Sequence, residues 1–150
     1  MQKSLRIPVQ TAREIEELGA ESGAEFSAIA NQLLDEAVRM RRCPGIVFSA
    51  GPSGRRATVA GTGVDVWEVV ATHQSLAHDE RRLRAAYHWL TEAQLRAALA
   101  YHRLYPTEID ARIARDEALA PSAVAARYPS LAARPAPRAP RATKRARRRA

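Results

Sequence analysis

Residues 1–42 offer one alternating segment and two amphipathic helical patterns, which is too little to close a core alone. From Gln2 to Ile7 the side chains alternate. Leu5 and Ile7 point one way and Gln2, Ser4 and Arg6 the other, which is the period of a strand with one wet face. Pro8 ends that strand, because it has no ladder N–H to give. Ala12, Ile15, Leu18 and Ser22 then recur at helical spacing until Gly23 breaks the run. Ser27 is read as the N-cap of a second helix, whose apolar stripe is Ile29, Ala30, Leu33, Leu34, Ala37 and Met40. A lone strand has no partner. Two copies of the segment solve both problems: the strands pair antiparallel and the helices close over them.

The residues LRIP at Leu5 to Pro8, the helix to Leu18, Gly23 and Ser27 together resemble the ribbon-helix-helix family of bacterial DNA-binding dimers. That resemblance implies a two-stranded ribbon entering the DNA major groove. Gln2, Ser4 and Arg6 would face the bases, with Arg6 suited to a bidentate contact with guanine. The amide end of the second helix, at Ser27 and Ala28, would take a phosphate. The plainer alternative is a helical hairpin used only for dimerisation. The acidic first helix (Glu14, Glu16, Glu17, Glu21) contributes nothing to DNA affinity.

At 150 residues the chain has room for one ordinary domain or two small ones. No apolar run approaches a membrane span, and Lys3 and Arg6 are not followed by the apolar stretch of a secretory signal. Cys43 is the single cysteine, which excludes an intramolecular disulfide and a cysteine-cluster metal site, and fits the cytoplasm. The formal charge of +8 is unevenly placed. Eight of the 24 Lys and Arg residues lie from Arg134 onward with no acidic residue among them, leaving 16 against 16 Asp and Glu before that point. This RPAPRAPRATKRARRRA tail has no apolar side chain larger than alanine, so the composition predicts disorder.

A second unit begins where Cys43, Pro44 and Gly45 break the helix. Ile46 to Phe48 reads as a strand, Gly51 to Gly54 as a turn, and Arg56 to Ala60 as the returning strand with Ala57 and Val59 inward. The glycines of GTGVDVWEVV lack the GxGxxG or Gly-Lys-Ser/Thr context of a nucleotide loop and are read as a tight turn. Asp65 with Glu68 predicts a capping box, as does Thr91 with Gln94. A helix is expected from Asp79 to Tyr87, with Leu83, Ala86 and Tyr87 inward and Arg81, Arg82 and Arg84 outward. The next helix carries Leu95, Ala98, Leu99 and His102 on one face and stops at Pro106. Thr107 starts another, anchored by Ile109 and Ile113, and Pro121 and Pro129 bracket a last segment.

GTGVDVWEVV followed by AYHWLTEAQLRAALAYHRLYPTEIDARI resembles the domain of unknown function 433, over about Pro44 to Ile113. The resemblance implies a β-hairpin followed by a helix-turn-helix-like bundle. It also implies a place among antitoxins of toxin–antitoxin systems of the VapB type, beside a PIN-like ribonuclease toxin.

His73, His78, His88 and His102 lack metal-site or acid–base spacings, and the carboxylates are scattered, so no enzyme, metal or cofactor is expected. Trp67 and Trp89 are read as core. Arg81, Arg82 and Arg84 are read as a solvated face that could turn to phosphates or a toxin. The tail arginines, Arg145, Arg147, Arg148 and Arg149 included, could add salt-sensitive DNA affinity or enter the acidic pocket of a nuclease.

The expected fold is mainly α: a ribbon-helix-helix unit (1–42), a hairpin and helix-turn-helix-like bundle (44–120), and a weakly structured segment with a disordered basic tail (121–150). The expected function is that of a type II antitoxin, dimeric or a higher even oligomer, binding operator DNA and neutralising a PIN-like ribonuclease, with no membrane association. The alternatives are a free-standing transcriptional regulator and a nucleoid protein driven by the tail.

Overall fold

The computed structural model describes residues 4–51 and 54–127. It contains two compact units, Met1–Ile113 and Ala114–Ala150. Among the described residues it is mainly helical, with a single two-stranded antiparallel sheet.

Helix α1 (Val9–Ser22) follows Pro8, whose carbonyl accepts the Ala12 amide at 3.0 Å. It ends where the sequence predicts. Gly23 takes the left-handed conformation at φ 67°, and the Gly23 and Ala24 amides both return to the Gly19 carbonyl. Ile15 and Gly19 form the buried face of α1, and Gly19 allows the close turn into α2 (Phe26–Arg42). A Cβ at Gly19 would stand 2.7 Å from the Ala24 carbonyl oxygen.

Helix α2 starts two residues earlier than expected, and Ser27 is not its cap. Glu25 is the N-cap, in an extended conformation, and its carbonyl accepts from Ala28 and Ile29 at 3.0 and 3.2 Å. Once Glu25 turns the chain into the helix, Ser27 falls within the first turn. At the other end Arg39, Arg41 and Arg42 complement the helix dipole, and Pro44 prevents continuation beyond Cys43.

Strands β1 (Ile46–Gly51) and β2 (Gly54–Val59) pair antiparallel, with Ile46 opposite Val59 and Gly51 opposite Gly54. Ile46, Ala57 and Val59 are buried, as the alternation predicts. Thr58 is buried as well, although the alternation placed it outward. Its hydroxyl pairs with Ser49 Oγ at 2.8 Å and its backbone bridges to Asp65, so the turn after β2 folds over it. Gly61 and Gly63 make that turn at φ 75° and 71°.

Helix α3 (Val66–Ser75) opens on the Asp65–Glu68 capping box and buries Val66, Val69 and Val70. Helix α4 (Glu80–Ala86) is capped by Asp79, which accepts from the Arg81 and Arg82 amides at 2.9 and 3.1 Å. Leu83 is buried and Tyr87 half-buried, but Ala86 is exposed. Helix α5 (Glu92–Leu104) opens on the Thr91–Gln94 box and buries Leu95, Ala98 and Tyr101. Pro106 is the first residue of α6 (Pro106–Leu119) rather than a spacer before a start at Thr107, since proline at that position loses no helical hydrogen bond. Ile109 and Ile113 are buried as expected.

The core joins the inner face of the hairpin to α3, α4, α5 and the start of α6. Trp67 is half-buried against it, its indole N–H donating to Asp65 Oδ2 at 3.1 Å. Trp89 corrects the expectation. It is 60% exposed, because neighbouring Leu90 takes the inward position in the turn between α4 and α5. The second unit contains the end of α6 and α7 (Pro121–Arg127).

Candidate nucleic-acid and partner interfaces

The N-terminal residues assemble around one apolar groove. Residues 4–8 carry no regular secondary structure in the single chain. Leu5, Ile7 and Pro8 lie over Ile15 of α1 and Ala30, Leu33 and Leu34 of α2, enclosing about 320 Å³. Arg6 lines the same groove and is itself exposed. Ser4 is exposed and Gln2 lies outside the described residues. The alternation is therefore only half expressed: Ile7 is half-buried, while Leu5 is 66% exposed.

The same helical pair exposes Val9, Leu18, Leu33, Leu34, Val38 and Met40. The expected apolar stripe of α2 exists, but only Ile29 of that stripe is buried. Each large aliphatic side chain moved from water to an apolar contact contributes about 1.5–3 kcal/mol, so this surface is costly to leave wet.

The phosphate position expected at Ser27 and Ala28 is altered by the earlier helix start. The Ala28 amide is already donated to the Glu25 carbonyl, and Glu25 stands at the cap. Ser27, in the first turn, is exposed.

Helix α2 is clasped to the rest of the first unit by ion pairs to residues distant in the chain. Glu36 is buried and accepts two hydrogen bonds from the Arg55 guanidinium, one of them at 2.8 Å from Nη2. Arg39 forms an ion pair with Asp35 at 2.8 Å, bonds to the Tyr101 hydroxyl at 3.0 Å and to Glu108, and its guanidinium lies 4.7 Å from the Tyr105 ring centre. Burial works against the Arg39 charge, but the bonds to Tyr101 and Asp35 outweigh it, so the guanidinium is held charged more firmly than usual. Burial pushes the Tyr101 phenol up, and its bond from Arg39 offsets only part of that. Apart from Asp35, one turn away on the same helix, these partners are far apart in sequence, and no periodicity marks them.

Arg81, Arg82 and Arg84 are all exposed, as expected. The structure adds Arg96 to Arg81 and Arg84 around a second groove, between α4 and α5. The tail arginines Arg145, Arg147, Arg148 and Arg149 lie outside the described residues.

The histidines are dispersed. His102 pairs with Asp110 at 2.7 Å, His88 packs edge-on to Trp89, and His73 and His78 meet edge-to-face with ring centres 4.9 Å apart. Among the described residues no group of three or more His, Cys, Asp or Glu could hold a metal ion. Among the same residues no helix is long and apolar enough to cross a membrane.

No protein-family model matches the chain, and no curated protein matches it. Among solved structures it is similar to a DUF433 member protein from Anabaena variabilis, with 30% sequence identity over 72% of this chain and 99% of that one. The TM-score is 0.42, too low for the superposition to say how the elements are arranged.

Proposed function

By that identity over almost the whole of a member's length, the chain belongs to the DUF433 family, and we propose that it acts as an antitoxin. In this reading two copies join through residues 1–42, bind operator DNA, and hold a PIN-like ribonuclease toxin inactive through residues beyond Arg42. The observation that carries it is the uncovered apolar surface of the N-terminal helices, beside residues 4–8, which have no strand partner in the single chain. A second copy would supply both the strand and the cover, and the resulting ribbon would present Ser4 and Arg6 on its outer face. The toxin role is supported by the resemblance of residues 44–113 to a domain found in antitoxins.

The DNA half is tested by measuring affinity for the DNA upstream of its own gene, with wild type and Arg6→Ala. The expected outcome is loss of sequence-specific binding at unchanged dimer mass. A guanine contact is worth about 1–3 kcal/mol of discrimination, so unchanged affinity for the specific site would remove Arg6 from base readout. Retention of specific binding by a monomer would overturn the ribbon itself.

A further inference from the structure

We infer that the groove between α4 and α5 is a docking site for an acidic protein segment with one aliphatic anchor. The groove is about 140 Å³, below the roughly 300 Å³ at which small-ligand pockets begin, and suited to a single inserted side chain. Its floor is Leu83, Leu95 and Leu99. Its rim carries Arg81, Arg84 and Arg96 against Glu80 and Glu92. Arg84 and Arg96 share one carboxylate, each reaching Glu92 at 3.3 Å, and Arg81 has no ion pair among the described residues. The rim therefore carries surplus positive charge around an apolar floor.

The turn joining these two helices also presents Trp89, 60% exposed and held edge-on by Tyr87 and His88 at 5.5 and 5.0 Å. Exposed tryptophan and arginine, carried by these two helices and the turn between them, are the residue types that dominate protein-binding hot spots. A nucleic-acid backbone would satisfy the arginines and leave the leucine floor unused. An acidic segment with one leucine-like side chain satisfies both. The inference does not depend on DNA binding by residues 1–42, and it holds whether the partner is a toxin or another protein.

The test uses the full chain and a short fluorescein-labelled peptide in which one leucine is flanked on both sides by glutamates. Fluorescence anisotropy is expected to show saturable binding. That binding should weaken about tenfold or more when Arg81, Arg84 and Arg96 are all changed to Glu, or when the peptide leucine becomes serine. Arg81→Glu alone keeps the Glu92 pairs and should weaken binding several-fold, which covers the case of a triple variant that unfolds. No peptide binding would overturn the inference. So would binding that survives the arginine changes, because the charge of residues 134–150 alone would then explain it. Equal binding of the serine peptide would exclude the apolar anchor. Displacement of the peptide by a single-stranded oligonucleotide that needs the same arginines would make the groove a nucleic-acid surface instead.

Discussion

The Tyr101 hydroxyl accepts from Arg39 at 3.0 Å and donates to the Glu108 carboxylate, whose oxygens both lie 3.2 Å away. Its ring is fully buried and meets Phe48 and Tyr105. Tyr101→Phe keeps the packing and the direct Arg39–Glu108 pair but removes the hydroxyl bonded to both charges, so a loss of about 1 kcal/mol is expected in denaturant titration. The same residue sets a pH dependence. Because the folded phenol holds its proton above its ordinary value of 10.0, the unfolded chain gives up that proton first as the pH rises. The stability contribution is therefore complete below about pH 10 and declines above it. Burial raises the Cys43 thiol in the same sense, so the comparison belongs in a Cys43→Ala background. There, Tyr101→Phe should flatten the alkaline decline; an unchanged slope would show that this phenol is not the group responsible.

Elements whose signals are local were legible in the sequence. Both predicted capping boxes form, Gly23 ends α1, and the hairpin lies where its turn residues place it, because each depends on residues a few positions apart. Elements set by competition between neighbours were less legible. Leu90 displaces Trp89 from the core, Thr58 is buried by the following turn, and Glu25 takes the cap expected of Ser27. The Glu36–Arg55 and Arg39–Glu108 pairs and the α4–α5 groove depend on tertiary proximity, which no period encodes. Two substitutions test the element-level account. Thr91→Ala removes the acceptor for the Gln94 amide and should cost about 1 kcal/mol, with the loss of helicity seen by circular dichroism. Gly19→Ala places a methyl 2.7 Å from the Ala24 carbonyl and should cost about 1–3 kcal/mol by forcing α1 and α2 apart. A neutral result at Gly19 would mean that this turn adapts freely.

At the scale of the whole molecule, the apolar groove under residues 4–8 and the exposed stripe of α2 are the surface through which the proposed dimer would form. Leu33→Glu should shift the sedimenting species from dimer to monomer, since it puts a charge into the surface that a second copy would cover. An undisturbed dimer would place the self-contact elsewhere. The antitoxin role goes further, to a second protein. It is tested most directly by purifying the tagged full-length chain from its native host, after nuclease treatment at moderate salt, and identifying what accompanies it in stoichiometric amount. The account predicts a small protein encoded beside this gene, toxic when expressed alone and silenced when this chain is expressed with it. A homodimer without such a companion, and a neighbouring gene harmless on its own, would contradict it.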